Sequence, residues 1–120
     1  MTPAEVAALR HMMGLTLDAF AAMLGVHPRT VRSWESGRDE LSPSSAAAVR
    51  ALARRHSDLV RQYLDAGVPI GIVRDVGDAI PPRGWYLAAA GQALAVEPNL
   101  SVEWLPAGGP TPESPPPPRG

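Results

Sequence analysis

Cysteine is absent from the 120 residues, which excludes a disulfide framework, a thiolate metal site and a cysteine nucleophile. Lysine is absent as well: all 11 basic residues are Arg, set against 12 acids for a formal net charge of -1. So even a balance gives no strong generic attraction to polyanions or membrane surfaces. The planar guanidinium favours bidentate contacts, although an Arg-only, Ala-rich composition also suits GC-rich coding. No apolar run approaches the roughly 18 to 20 residues needed to span a bilayer. The opening Met1-Thr2-Pro3-Ala4-Glu5 lacks a basic region followed by an apolar stretch, so no secretory signal is expected and a cytoplasmic protein is the simplest reading. Histidines at 11, 27 and 56 are too scattered to assemble a metal cluster or a triad, and no Gly-rich phosphate loop occurs. Neither an enzyme nor a bound cofactor or metal is expected.

What is present is unevenly distributed. Residues 1–56 hold seven Arg against five acids, and residues 57–120 hold four Arg against seven acids, so the basic half is the front half. With 45% hydrophobic residues the chain can build a packed core over most of its length. Thr2 can cap a helix with Pro3 in its first turn and Glu5 three residues on. Val6, Leu9, Met12 and Met13 then recur at helical spacing up to Gly14. Thr16 caps a second helix with Asp18 in its first turn and Phe20, Met23 and Leu24 on one face before Gly25. A third helix starts at His27-Pro28 and ends at Gly37, with Thr30, Val31 and Trp34 on its apolar side. Ser42-Pro43 restarts a long helix to Ala66, with Gly67 as its cap. Its inner stripe is Val49, Leu52, Ala53, His56, Leu59, Val60 and Tyr63.

The later chain has a different character. Val68, Ile70, Ile72 and Val76 predict a short strand. Pro81-Pro82-Arg83-Gly84 interrupts it, and Trp85 to Val96 reads as a helix in which Trp85, Ala88, Ala89, Gln92 and Val96 recur at three- and four-residue intervals. Leu100, Val102 and Trp104 alternate as a second strand. Half of the 14 prolines lie from Pro106 onward, which predicts a disordered Pro-rich tail over 106–120. The fold class expected is mainly α: an N-terminal bundle of four to five helices over 1–66, then a small α+β appendage over 67–105. The apolar set Trp85, Leu87, Leu94, Val96, Leu100, Val102 and Trp104 exceeds what so short an appendage buries alone, so it is expected to form a dimer surface.

The decisive stretch is Thr16 to Arg38, TLDAFAAMLGVHPRTVRSWESGR. Two helices joined by a tight turn need a small residue where they cross and a residue tolerant of positive φ at the turn; Ala21 and Gly25 supply them. Phe20, Leu24, Val26, Val31 and Trp34 fall at the inward offsets, leaving His27, Pro28, Arg29, Arg32, Ser33 and Ser36 outside. That pattern resembles the Cro/C1-type (XRE) helix-turn-helix family over roughly residues 4–56. Ala21 and Gly25 match its two diagnostic small positions, and Trp34-Glu35-Ser36-Gly37-Arg38 matches its exit from the recognition helix. The opening Thr2-to-Arg10 pattern, the WESGR exit and Gly84-Trp85-Tyr86-Leu87 with its alanine-rich helix resemble, more narrowly, the YdiL-like regulators, which include anti-CRISPR-associated repressors.

The resemblance implies a DNA-binding transcription regulator, a repressor that reads an inverted-repeat operator on double-stranded DNA as a homodimer and can act on its own promoter. Pro28 to Ser36 is then the recognition helix, whose start enters the major groove. Arg29, Arg32 and Ser33 are its base-contacting candidates, because Arg can donate two bonds to guanine O6 and N7. Thr16, Leu17, Thr30 and Arg38 are the phosphate-contacting candidates. His27 belongs to the cap of the recognition helix, Pro28 departs from a position often polar in the family, and Trp34 and Glu35 are structural. The antitoxin of a toxin–antitoxin pair, binding DNA and a toxin partner, is an open alternative, and RNA binding through the same basic face is another.

Overall fold

The computed structural model describes residues 1–67 and 69–105. The expectations for Val68 and for the tail 106–120 lie outside the described residues. Four helices come first: α1 (Pro3–Met12), α2 (Leu17–Leu24), α3 (Pro28–Ser36) and α4 (Pro43–Ala66). Strand β1 (Ile70–Val73), helix α5 (Arg83–Val96) and strand β2 (Val102–Leu105) complete the described chain. The architecture is mainly α with a small α+β part, as the sequence predicts.

Local chemistry accounts for the first four helices. Thr2 Oγ accepts from Glu5 N–H while the Glu5 carboxylate accepts from Thr2 N–H, closing the capping box of α1. Thr16, His27 and Ser42 cap α2, α3 and α4 through their side chains, and Pro stands in the first turn of α1, α3 and α4. Helix α1 ends at Met12, which is exposed, and Met13 beyond it is buried. Along α4 the buried positions are Ala46, Val49, Leu52, His56, Leu59 and Tyr63, which includes the inner members of the expected stripe; Ala53 and Val60 are half-buried.

The second part departs from expectation in detail. Strand β1 stops at Val73, with Arg74 exposed and Val76 half-buried in the following loop, so the predicted alternation runs too long. Strand β2 takes in Leu105 but not Leu100, which precedes it. The two strands pair in parallel, Ile70 opposite Val102 and Val73 opposite Leu105. A parallel pair needs a crossover, and α5 is that crossover. Helix α5 opens at Arg83, two residues before the predicted start, with Pro82 at its cap. Its buried residues are Trp85, Tyr86, Ala89, Ala90 and Ala93, a face rotated from the predicted one, and Val96 is 69% exposed.

One hydrophobic cluster runs through both parts, joining Val6, Met13, Phe20, Val31 and Trp34 to Leu59, Ile72, Trp85 and Ala89. Trp85, expected on a dimer surface, is fully buried instead: its ring meets His56 edge-on at 4.6 Å, and its carbonyl is 2.9 Å from His56 Nε2. Its burial follows from a close backbone approach. Gly14, in the α1–α2 turn, lies against Gly84 in the first turn of α5, where a Cβ on either glycine would overlap the other's carbonyl oxygen. Gln92 Nε2 donates to the Met12 carbonyl at 2.9 Å, satisfying an acceptor left open at the end of α1.

Candidate nucleic-acid interface

Helices α2 and α3 are joined by Gly25-Val26-His27. Gly25 takes φ 71, and Val26 N–H then bonds the Ala21 carbonyl at 3.0 Å, reversing the chain within three residues. Phe20 and Ala21 of α2 are buried against Val31 and Trp34 of α3, which leaves the opposite side of α3 in solvent. Thr30, expected to share the apolar side, is half-buried.

One device caps α3 and another ties it to the rest of the fold. At its start the His27 Nδ1 accepts from Arg29 N–H at 3.0 Å, so His27 does act as the cap. Near its end Glu35 holds Arg10 of α1 through two bonds, Nε to Oε2 at 2.7 Å and Nη2 to Oε1 at 3.0 Å. A third guanidinium bond reaches the Leu15 carbonyl at 3.0 Å, tying in the α1–α2 turn. The pair is largely sheltered, with side chains 13% and 15% exposed, so water screens it weakly. Glu35 is thus structural, as read from the sequence. Arg10 was not foreseen in this role: its partner lies 25 residues away, and no local spacing rule connects them.

The outer face of α3 lines an open groove with the segment that follows it. Arg29, Arg32, Ser33 and Ser36 contribute from the helix, Arg38 and Asp39 from beyond it. Arg29 and Arg32, one helical turn apart, are both exposed. Arg38 is exposed too, brought alongside because Gly37 takes φ 82 and the Arg38 N–H folds back to the Ser33 carbonyl at 3.1 Å. Ser33 is half-buried, and its hydroxyl donates to Asp39 Oδ2, while Ser36 Oγ donates to the Ser33 carbonyl at 3.1 Å. The structure therefore brings Arg29, Arg32, Ser33, Thr30 and Arg38 together on one groove. Asp39 is the member that sequence reasoning missed; six positions from Ser33, it meets it only because the chain reverses at Gly37.

Thr16 and Leu17 stand apart from that groove, at the start of α2. Thr16 is exposed, and its Oγ accepts from Ala19 N–H at 3.1 Å. The N–H groups of Leu17 and Asp18 are among those a helix start leaves without an intrahelical carbonyl, a geometry that suits a phosphate oxygen.

A short helix, a glycine turn and a second helix with a buried inner face and a cationic outer face define a helix-turn-helix domain, a class that binds double-stranded DNA. The helix-turn-helix family model matches residues 6–52, spanning most of α1, all of α2 and α3, and the start of α4. The narrower likeness carried by Gly84-Trp85-Tyr86-Leu87 falls beyond the matched residues. No curated protein matches the chain. Among the described residues no group of His, Asp or Glu could hold a metal ion, and no helix is long and apolar enough to cross a membrane.

Proposed function

We propose that the protein is a sequence-specific transcription regulator, a repressor that binds an inverted-repeat operator as a homodimer. The observation that carries this reading is the pair Arg29 and Arg32, exposed one turn apart on a helix capped by His27 at its start and tied to α1 near its end. A helix held in place fixes where each arginine leaves the backbone, so that a guanidinium can reach guanine O6 and N7 at one position with only its own side chain to order. Thr16 and Leu17 approach one phosphate from the start of α2, and Thr30 and Arg38 take others, setting register without reading sequence.

Dimerisation is proposed through the outer face of α5. Leu87, Gly91 and Ala95 are exposed there along one stripe, with Leu94 half-buried beside them. Of the apolar set expected from sequence, Trp85 is removed by its burial, Leu87, Val96 and Trp104 are exposed, and Leu94, Leu100 and Val102 are half-buried. A two-fold pair would set its recognition helices about 34 to 36 Å apart, or a multiple of that, matching half-sites on one face of the duplex.

Selection from a pool of random DNA duplexes tests both parts. The expected product is an inverted repeat with guanine in each half-site, bound by a species sedimenting as a dimer. Arg29→Ala or Arg32→Ala should then cost about 1 to 3 kcal/mol on the selected site and far less on random DNA. A selected site without symmetry, bound by a monomer, would remove the dimer. Equal weakening on both DNAs would demote these arginines to phosphate contacts.

A further inference from the structure

The contact between Ser33 and Asp39 decides what Ser33 can recognise. A serine hydroxyl carries one proton and two acceptor lone pairs, and it ordinarily rotates to donate or accept as its partner requires. Here the proton is committed, because Ser33 Oγ donates to Asp39 Oδ2. The carboxylate is delivered by the backbone: Gly37 reverses the chain, and Asp39 N–H points to the Ser33 carbonyl at 3.4 Å. Both residues line the groove that holds Arg29 and Arg32. With its proton engaged, Ser33 offers only lone pairs to that groove.

Resting on the reading of this groove as a DNA interface, we propose that Asp39 is a positioning residue that fixes Ser33 as an obligate hydrogen-bond acceptor. The base it selects then carries an exocyclic amine in the major groove: adenine through N6 or cytosine through N4, and not guanine or thymine on the same strand. The recognition surface is complementary in sign along its length. Two arginines seek the acceptors of guanine, and a Ser33 hydroxyl held as an acceptor by Asp39 seeks an amine beside them.

The experiment is selection from random duplexes with the full chain, run in parallel on wild type, Asp39→Ala, Asp39→Asn, Ser33→Ala and the Ser33→Ala/Asp39→Ala double variant. Melting of each variant is recorded, and Asp39 is exposed, so all are expected to fold. Wild type should favour adenine or cytosine at one position of each half-site, next to guanine. Asp39→Ala frees the hydroxyl to donate, so that preference should fall roughly three- to tenfold while the other positions keep theirs. Asp39→Asn keeps an amide oxygen for the Ser33 proton and should retain the preference, which separates the hydrogen bond from the charge. In the Ser33→Ala background, Asp39→Ala should change nothing further at that position.

Uniform tightening of Asp39→Ala on every sequence, with an unaltered preference, would mean that Asp39 only repels phosphate, and the proposal would fall. A loss of preference that persists without the Ser33 hydroxyl would also overturn it. Failure of wild type to enrich any sequence would instead refute sequence-specific binding itself, and the proposal with it.

Discussion

Two glycines in one helix should respond to the same substitution with opposite signs. Gly91 lies in the interior of α5, exposed, with open space where a Cβ would go. Gly91→Ala should therefore show the bare helix preference, a stabilisation of about 1 kcal/mol. Gly84 sits in the first turn of the same helix, where a Cβ would overlap the Gly14 carbonyl oxygen, well inside the 3.0 Å that real contacts respect. Both sides of that contact are backbone, so no side-chain rotation relieves it. One end or the other must move, and overpacking of this kind costs about 1 to 3 kcal/mol. An unyielding contact belongs at the upper end, and the gain in helix preference offsets part of it. Gly84→Ala should destabilise by about 2 kcal/mol, lowering Tm by roughly 8 °C, while Gly91→Ala raises it by roughly 4 °C. Thermal unfolding followed by circular dichroism, at several protein concentrations to separate folding from association, measures both. A Gly84→Ala protein that melts above wild type would show that α5 does not rest on the α1–α2 turn.

Trp85→Ala should lower the stability of a dilute sample by about 3 to 5 kcal/mol in denaturant titration, because the ring is buried within the chain; a variant that changed association alone would return Trp85 to an interface. Glu35→Ala strips the Arg10 guanidinium of two bonds and should cost about 2 kcal/mol, with little dependence on salt. The same loss in an Arg10→Ala background would show that the two act independently. Arg38→Ala should weaken selected and random DNA alike and reduce the slope of log K against log salt by about one unit. An unchanged slope would remove Arg38 from the phosphate contacts.

The first four helices were legible because each carries local punctuation. Thr2, Thr16 and Ser42 cap them, prolines start three of them, and Gly25, Gly37 and Gly67 end helices in left-handed geometry. Strongly patterned faces did the rest: on α3, Val31 and Trp34 stand among Arg, Ser and Thr, so only one side could turn inward. The outward placement of Arg29 and Arg32 followed from the same periodicity. What escaped were the long-range pairings. Arg10 with Glu35 and Ser33 with Asp39 depend on how helices cross and how the chain reverses, neither of which a spacing rule encodes.

Helix α5 failed for the opposite reason, an excess of apolar residues. Between Trp85 and Val96 nearly every position is apolar or small, so several faces satisfy a helical repeat and the pattern cannot choose among them. The choice is made by contacts that lie outside α5. Gly84 must pass against Gly14, and Trp85 must enter between α4 and the rest of the core to reach His56. Those two constraints set the rotation of the helix and turn Tyr86, Ala90 and Ala93 inward at the expense of Val96. They also leave a small-residue stripe, Gly91 and Ala95 beside Leu87, facing solvent. The glycine contact that docks α5 onto the α1–α2 turn thereby fixes which side of α5 remains exposed, the side proposed to meet a second copy. In the proposed dimer that side would in turn set how far apart the two recognition helices are held.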